Sequence, residues 1–240
     1  MKILVAGATG ATGQLLVDQL LNAGHEVKII VRSPGKLPQP IRESSSLTVI
    51  QAGILDLSVH ELAEITMDCD AIASCLGHNL TFKGVFGPPR RLVTEATRQL
   101  CNAVSTKQKG EKTRFVLMNT AGNSNRDLNE PLSMSHRFVV SLIRLLIPPH
   151  ADNEQAADYL RTSIGQENQF IEWVAVRPDS LINNDEVTEY EIHSSPTSSA
   201  IFNPGKTSRI NVAHFMAELI TNDELWATWK GKMPVIYNKG

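Results

Sequence analysis

Residues 1–16, MKILVAGATGATGQLL, decide how this chain is read. Ile3, Leu4, Val5 and Ala6 form a short apolar run of the kind that a strand buried on both faces requires. From Gln14 to Leu21 the apolar residues Leu15, Leu16 and Leu20 recur at helical spacing. Gly7, Gly10 and Gly13 therefore fall at a strand-to-helix turn. In a dinucleotide fold such glycines have separate tasks: one makes the tight turn, one admits the pyrophosphate to the backbone, and one lets helix pack on strand. The free N–H groups and positive end of the helix dipole then favour phosphate. The spacing here is G-x-x-G-x-x-G, not G-x-G-x-x-G, and Thr9 and Thr12 offer additional hydroxyl donors. A glycine-rich turn with no ligand is the competing reading. The loop's place between a first strand and a helix favours a nucleotide site.

The alternation continues outward from that loop. Strand-like runs are expected at 2–6, 27–31, 47–51, 71–75, 114–118 and 171–176. Helix-like runs are expected at 13–22, 59–65, 90–106, and across 133–163 with a break at Pro148-Pro149. Short apolar strands alternating with helices predict an α/β fold: a Rossmann-like, doubly wound parallel sheet with helices on both faces. Pro34, Pro38 and Pro40 predict an irregular connection after the second strand. The tail is polar and turn-rich, with a short strand near 188–193, a closing helix in SRINVAHFMAELI and PVIYN as a last edge strand. The expectation is one domain over 1–240, with residues from about 178 onward shaping the substrate pocket.

Bulk properties exclude several classes. The chain has 240 residues, 42% hydrophobic, enough for a large core, and a formal net charge of -2 with no basic tract. A nucleic-acid partner is not expected. A core strand at the start argues against a signal peptide. The longest apolar run, Phe138 to Ile147, carries Ser141 and Arg144 and is too short to span a membrane. Cys69, Cys75 and Cys101 are odd in number and lack metal-ligand spacing, so they read as reduced thiols in a cytoplasmic protein with no metal site. A small-molecule substrate and a monomer or homodimer complete the expectation.

The choice of cofactor turns on the end of the second strand. An acidic residue about 20 positions past the loop bonds the ribose 2′-hydroxyl of NAD, whereas arginine suits the 2′-phosphate of NADP. Arg32 stands there, followed by Ser33, with Lys36 nearby and no Asp or Glu. Guanidinium binds phosphate bidentately, so NADP (NADPH) is expected. A solvent-facing arginine is the plainer alternative.

At this point the residues resemble a known group. ILVAGATGATGQLLVDQLLNAGHEVKIIVRSPGKL is similar to the start of the atypical short-chain dehydrogenase/reductases, the NAD(P)-binding NmrA-like and biliverdin-reductase-B-like (flavin reductase) proteins. RFVLMNTAG resembles their fifth strand and its loop. ADNEQAADYLRTS and WVAVRPDSL resemble their sixth helix and strand, and SRINVAHFMAELI their closing helix. The resemblance implies that Gly7, Thr9, Gly10, Ala11, Thr12 and Gly13 meet the cofactor phosphates and that Arg32 and Ser33 meet the 2′-phosphate region. It implies that Asp56 bonds the adenine amino group and that Cys75, Leu76 and Gly77 line the adenosine. It places Asn119 and Thr120 beside the nicotinamide ribose, and Arg177 and Pro178 near the nicotinamide. Thr120 also matches the approximate position of the family's catalytic Ser/Thr. The chain departs from the family's Tyr-x-x-x-Lys pair: Pro149 aligns with the tyrosine, Asn153 with the lysine, and Tyr159 is followed four residues on by Ser163.

Histidines supply the remaining candidates. His136, after the fifth strand, could protonate a reduced product, because imidazole titrates near neutral pH; a surface helix position is the alternative. His78, after the fourth strand, either faces a substrate or sits in a solvated loop. His150 reads as a cap or surface residue, and the stripe Phe138, Val139, Leu142, Ile143, Leu146 as core packing. Two functions from different classes follow. One is a reductase passing hydride from NADPH to a flavin, a quinone or another conjugated carbonyl, chemistry in which cofactor and acceptor carry the redox change. The other is a non-catalytic NADP-binding sensor or scaffold of the NmrA-like kind.

Overall fold

The computed structural model describes residues 1–78, 87–106, 110–128, 130, 148–198 and 203–239. The first strand, β1 (Lys2–Ala6), is buried from Ile3 onward, as its unbroken apolar run requires. Further strands are β2 (Glu26–Val31), β3 (Leu47–Gln51), β4 (Ala71–Ser74), β5 (Thr113–Met118), β6 (Ile171–Pro178), β7 (Ser180–Ile182), β8 (Tyr190–His193), β9 (Lys206–Ser208) and β10 (Val235–Asn238). Helices are α1 (Ala11–Asn22), α2 (Gln39–Arg42), α3 (Val59–Thr66), α4 (Leu92–Ser105), α5 (Pro148–Tyr159), α6 (Arg209–Thr221) and α7 (Asp223–Trp229).

Eight strands form one sheet in the order β3-β2-β1-β4-β5-β6-β10-β8. All of its pairings are parallel except that of β8 with β10. The order turns back between β1 and β4, which opens a crevice at their carboxyl ends. Alternation along each strand sends side chains to two cores. Ile3, Val5, Ile29 and Val174 pack with Leu16 of α1 and Phe215 of α6. Leu4, Ala6, Phe115 and Trp173 pack with Leu62 of α3, Leu100 of α4 and Ala156 of α5. This is the doubly wound α/β sheet that the alternation of elements predicts.

Two local readings change. PVIYN is not an edge strand: β10 lies between β6 and β8, with Val235 and Ile236 wholly buried. The half-exposed β8 takes the outer position, which the polar tail did not reveal from its own pattern. The proline-rich connection after β2 is a short 3₁₀ turn, Pro34–Lys36, followed by α2, where Ile41 joins the core. The stripe Phe138–Leu146 and His136 lie outside the described residues.

Candidate dinucleotide site

The three loop glycines differ in what they do. Gly7 has φ +81°, and a Cβ there would lie 2.6 Å from the carbonyl of Cys75, so only glycine fits between β1 and the end of β4. A Cβ on Gly13 would fall on the carbonyl oxygen of Gly7, so Gly13 sets how closely α1 approaches the turn. Gly10 is exposed, and its N–H closes the turn onto the Gly7 carbonyl at 2.9 Å. It is also the N-cap of α1, which has no side-chain cap and no acidic residue in its first turn. The first-turn N–H groups thus face outward beside Gly10 and the exposed Ala11, an arrangement suited to an anion. Thr12 is buried.

Next to this turn lies a cavity of about 390 Å³ at the carboxyl edge of the sheet. Four strand ends build its walls: Gly7 and Thr9 after β1, Ile30 to Arg32 at β2, Ala52 to Asp56 after β3, and Leu76 to His78 after β4. Pro88, Pro89 and Leu92 close the remaining side. Arg32 is exposed and makes no hydrogen bond or ion pair with a described residue. Asp56 is also exposed, and its carboxylate lies over Gly53, where a Cβ would collide with it. An arginine with no partner among the described residues, beside an uncapped helix start, is a fitting receptor for a phosphorylated ligand.

Of the residues singled out from sequence, Gly7, Thr9, Arg32, Asp56, Leu76, Gly77 and His78 share this cavity. Ser33 is exposed at the start of the 3₁₀ turn and does not line it. Cys75 is a correction: its thiol points to the α6 side, 4.0 Å from the sulfur of Met216, and burial pushes its pKa up to about 12. The alternation of β4 sends Cys75 to that core, so its thiol does not line the cavity; only its backbone closes on Gly7.

Asn119, Thr120, Arg177 and Pro178 form a second group, at the ends of β5 and β6, that does not line the cavity. The Asn119 amide donates to the Asn153 carbonyl at 2.8 Å, and its oxygen accepts from the N–H of Thr120 at 2.9 Å and from the Asn123 amide at 3.2 Å. Half-buried Thr120 accepts from the N–H of Gly122 at 3.3 Å. Pro178 accepts from the N–H of Ala121 at 2.8 Å. Arg177 turns its side chain inward. It is wholly buried, and its guanidinium donates to the carbonyls of Met233, Asn123 and Ser194 and to Glu130. Those acceptors tie the guanidinium to the loops around the ends of β5 and β6.

Sequence reasoning missed the Pro88, Pro89 and Leu92 wall, because an apolar residue in a loop or at a helix start carries no signal of what it faces. It also left His78 undecided between substrate and water. The structure places the His78 side chain, 5% exposed, against buried Asp152 with Nε2 to Oδ2 at 2.8 Å. His150 contacts Gly122, where a Cβ would come 3.3 Å from its ring. None of the chain's tyrosines, Tyr159, Tyr190 and Tyr237, precedes a lysine by four residues. Tyr159 instead lies under Arg98, 5.5 Å from ring centroid to guanidinium. Among the described residues no cluster suited to a metal ion occurs, and no helix is long and apolar enough to cross a membrane.

Sheet order, turn and cavity define a Rossmann-type nucleotide-binding protein. Residues 7–223 match the family described as NAD(P)H-binding, and the chain belongs to that family. An uncharacterised chloroplastic protein of Arabidopsis thaliana is 28% identical over 230 residues, covering 93% of this chain and 73% of that one. The fold is shared with a short-chain dehydrogenase/reductase of Veillonella parvula solved with NADP, at TM-score 0.71 and 17% identity, covering 100% of this chain and 95% of that one. It is shared also with an oxidoreductase of Lactococcus lactis, at TM-score 0.70 and 18% identity, covering 100% and 91%. A Streptococcus pneumoniae protein proposed as an NADH-flavin reductase matches at TM-score 0.67 and 19% identity, with 100% of each chain covered. These likenesses show that the fold is shared, and the family match over residues 7–223 makes the chain an NAD(P)H-binding protein.

Proposed function

We propose that the chain is an NADPH-dependent reductase whose acceptor is a planar conjugated molecule, a flavin, a quinone or a related carbonyl compound. The observation that carries the choice of NADPH is Arg32, exposed on the cavity wall beside the start of α1 and without a partner among the described residues. It would receive the 2′-phosphate, and the first-turn N–H groups from Ala11 to Gly13 the diphosphate. Asp56 would accept from the adenine amino group, while Leu76 and Gly77 cover the adenosine. Bound there, the cofactor supplies the hydride. Asn119 and Thr120 would orient the nicotinamide end, their geometry fixed by the Asn153 carbonyl. The NADP-bound fold relative and the proposed flavin reductase among the neighbours support this reading.

Absence of a Tyr-x-x-x-Lys pair suits an acceptor that needs positioning more than proton abstraction from an alcohol. It also suits a sensor that binds NADP(H) without turnover. Oxidation of NADPH, followed at its nicotinamide absorbance with and without flavin and quinone acceptors, separates the two. Acceptor-dependent oxidation is expected. Tight nucleotide binding with no turnover of either acceptor class would replace the reductase with the sensor.

A further inference from the structure

Asp152 is a carboxylate held from two other segments of the chain. Its side chain is wholly buried on α5. Oδ2 accepts from the N–H of Val93 at 2.8 Å and Oδ1 from the N–H of Thr94 at 2.9 Å. These are first-turn donors of α4, where the helix dipole favours an anion. The Thr94 hydroxyl donates to the Asp152 carbonyl at 2.9 Å. Capping α4 needs only a short polar side chain. A buried charge brought from another helix is costly unless further partners compensate it, and the further partner is His78. Both carboxylate oxygens already accept backbone N–H groups, so the ring nitrogen facing Oδ2 is a donor and His78 carries a proton on Nε2. A buried carboxylate fixes an imidazole's tautomer and orientation in this way.

The location supplies the ligand. His78 follows β4 and lines the cavity together with Gly7, Thr9, Pro88 and Leu92. Pro88 and Leu92 lead into the helix that Asp152 caps. The residue after Asp152 holds Asn119 through its carbonyl, so one turn of α5 touches both parts of the site.

We propose that His78 is a dinucleotide-binding residue, meeting the phosphate–ribose stretch of NADP(H), and that Asp152 is the positioning residue that fixes its ring. This rests on the nucleotide reading of the cavity given above. The test is titration of wild type, His78→Gln and Asp152→Asn with NADPH, alongside thermal denaturation and nitrogen-15 NMR of the histidine rings. Gln places an amide N–H near the position of Nε2, so His78→Gln keeps the link to Asp152 and the stability but loses the ring. Its Kd is expected to rise about tenfold, the loss typical of one hydrogen bond to a charged group. Asp152→Asn is expected to weaken binding similarly and to move the His78 ring proton from Nε2 to Nδ1. The double variant is expected to bind no more weakly than the worse single variant, because the two residues act as one unit. Failure of wild type to bind NADPH overturns the nucleotide reading and this inference together. Wild-type affinity in His78→Gln, with binding intact in wild type, overturns this inference alone and leaves the pair a structural strut. If Asp152→Asn fails to fold, His78→Gln still decides the matter.

Discussion

Arg177 and Glu130 form an ion pair 2.8 Å long in which the side chains are 0% and 3% exposed. Glu130 also accepts from the N–H of Asn125 at 2.9 Å, so the pair fastens the loop that follows β5 to the end of β6. Removing one member leaves the other charged and buried, at a cost of about 3–5 kcal/mol. Glu130→Ala is therefore expected to lower unfolding free energy by about that amount in urea denaturation. An Arg177→Met/Glu130→Leu double variant should cost less than the single change. A loss under about 1 kcal/mol for Glu130→Ala would mean that the pair is as weak as a solvated one.

The loop glycines are expected to separate binding from folding. At Gly10 the backbone is extended, φ -78° and ψ 160°, and a Cβ would meet only the Gly7 oxygen at 3.2 Å. Gly10→Val should fold, with a modest stability loss, and lose most NADPH affinity by obstructing the helix start. At Gly13 the Cβ has no space, so Gly13→Val should fail to fold or melt far lower. Circular dichroism melts together with NADPH titration check both. Undiminished affinity in a folded Gly10→Val protein would remove the phosphate role from this turn.

Arg32→Ala is expected to reduce the preference for NADPH over NADH and to leave NADH binding nearly unchanged. One charge-assisted contact contributes roughly 1.5–3 kcal/mol, on the order of 10–100-fold in affinity. Because Arg32 is exposed, the wild-type preference should also weaken as salt rises. Paired titrations with the two nucleotides at low and high salt decide it. An unchanged ratio in Arg32→Ala would return Arg32 to an ordinary surface residue.

Stability in acid should depend on Asp68. Burial raises its pKa, but hydrogen bonds from Lys28 at 2.6 Å and Lys2 at 2.9 Å outweigh that and hold the carboxyl at about 2. The folded pKa thus lies below the unfolded value of about 3.9. Its contribution is present above pH about 4 and is lost as pH falls toward about 2. Asp68→Asn should flatten the stability profile in that window and lower stability at neutral pH. A parallel profile for wild type and variant would show that the Lys2–Asp68–Lys28 cluster is not what titrates. Half-exposed, the cluster is screened by salt, so the difference should shrink at high ionic strength.

The sequence by itself determined the sheet. Two-sided burial demands runs such as Ile3–Ala6, and helix spacing between such runs leaves few alternatives to a parallel doubly wound fold. The same local logic marked the Gly7–Gly13 turn and Arg32, because backbone conformation and strand-end charge are written in consecutive residues. Strand limits shifted by only a residue or two where chain ends continue a ladder, as at Pro178 on β6. Tertiary structure alone decided the rest. Whether Val235–Asn238 is an edge or an inner strand depends on β8 pairing with it from about forty residues away. The acceptors that hold the Arg177 guanidinium come from Met233, Asn123, Ser194 and Glu130, and none of them is legible from its place in β6. His78 and Asp152 are 74 residues apart, and no local pattern joins them. Hydrophobic periodicity is a short-range code for which face is buried. Which polar group meets another in that interior is settled only when separate elements pack.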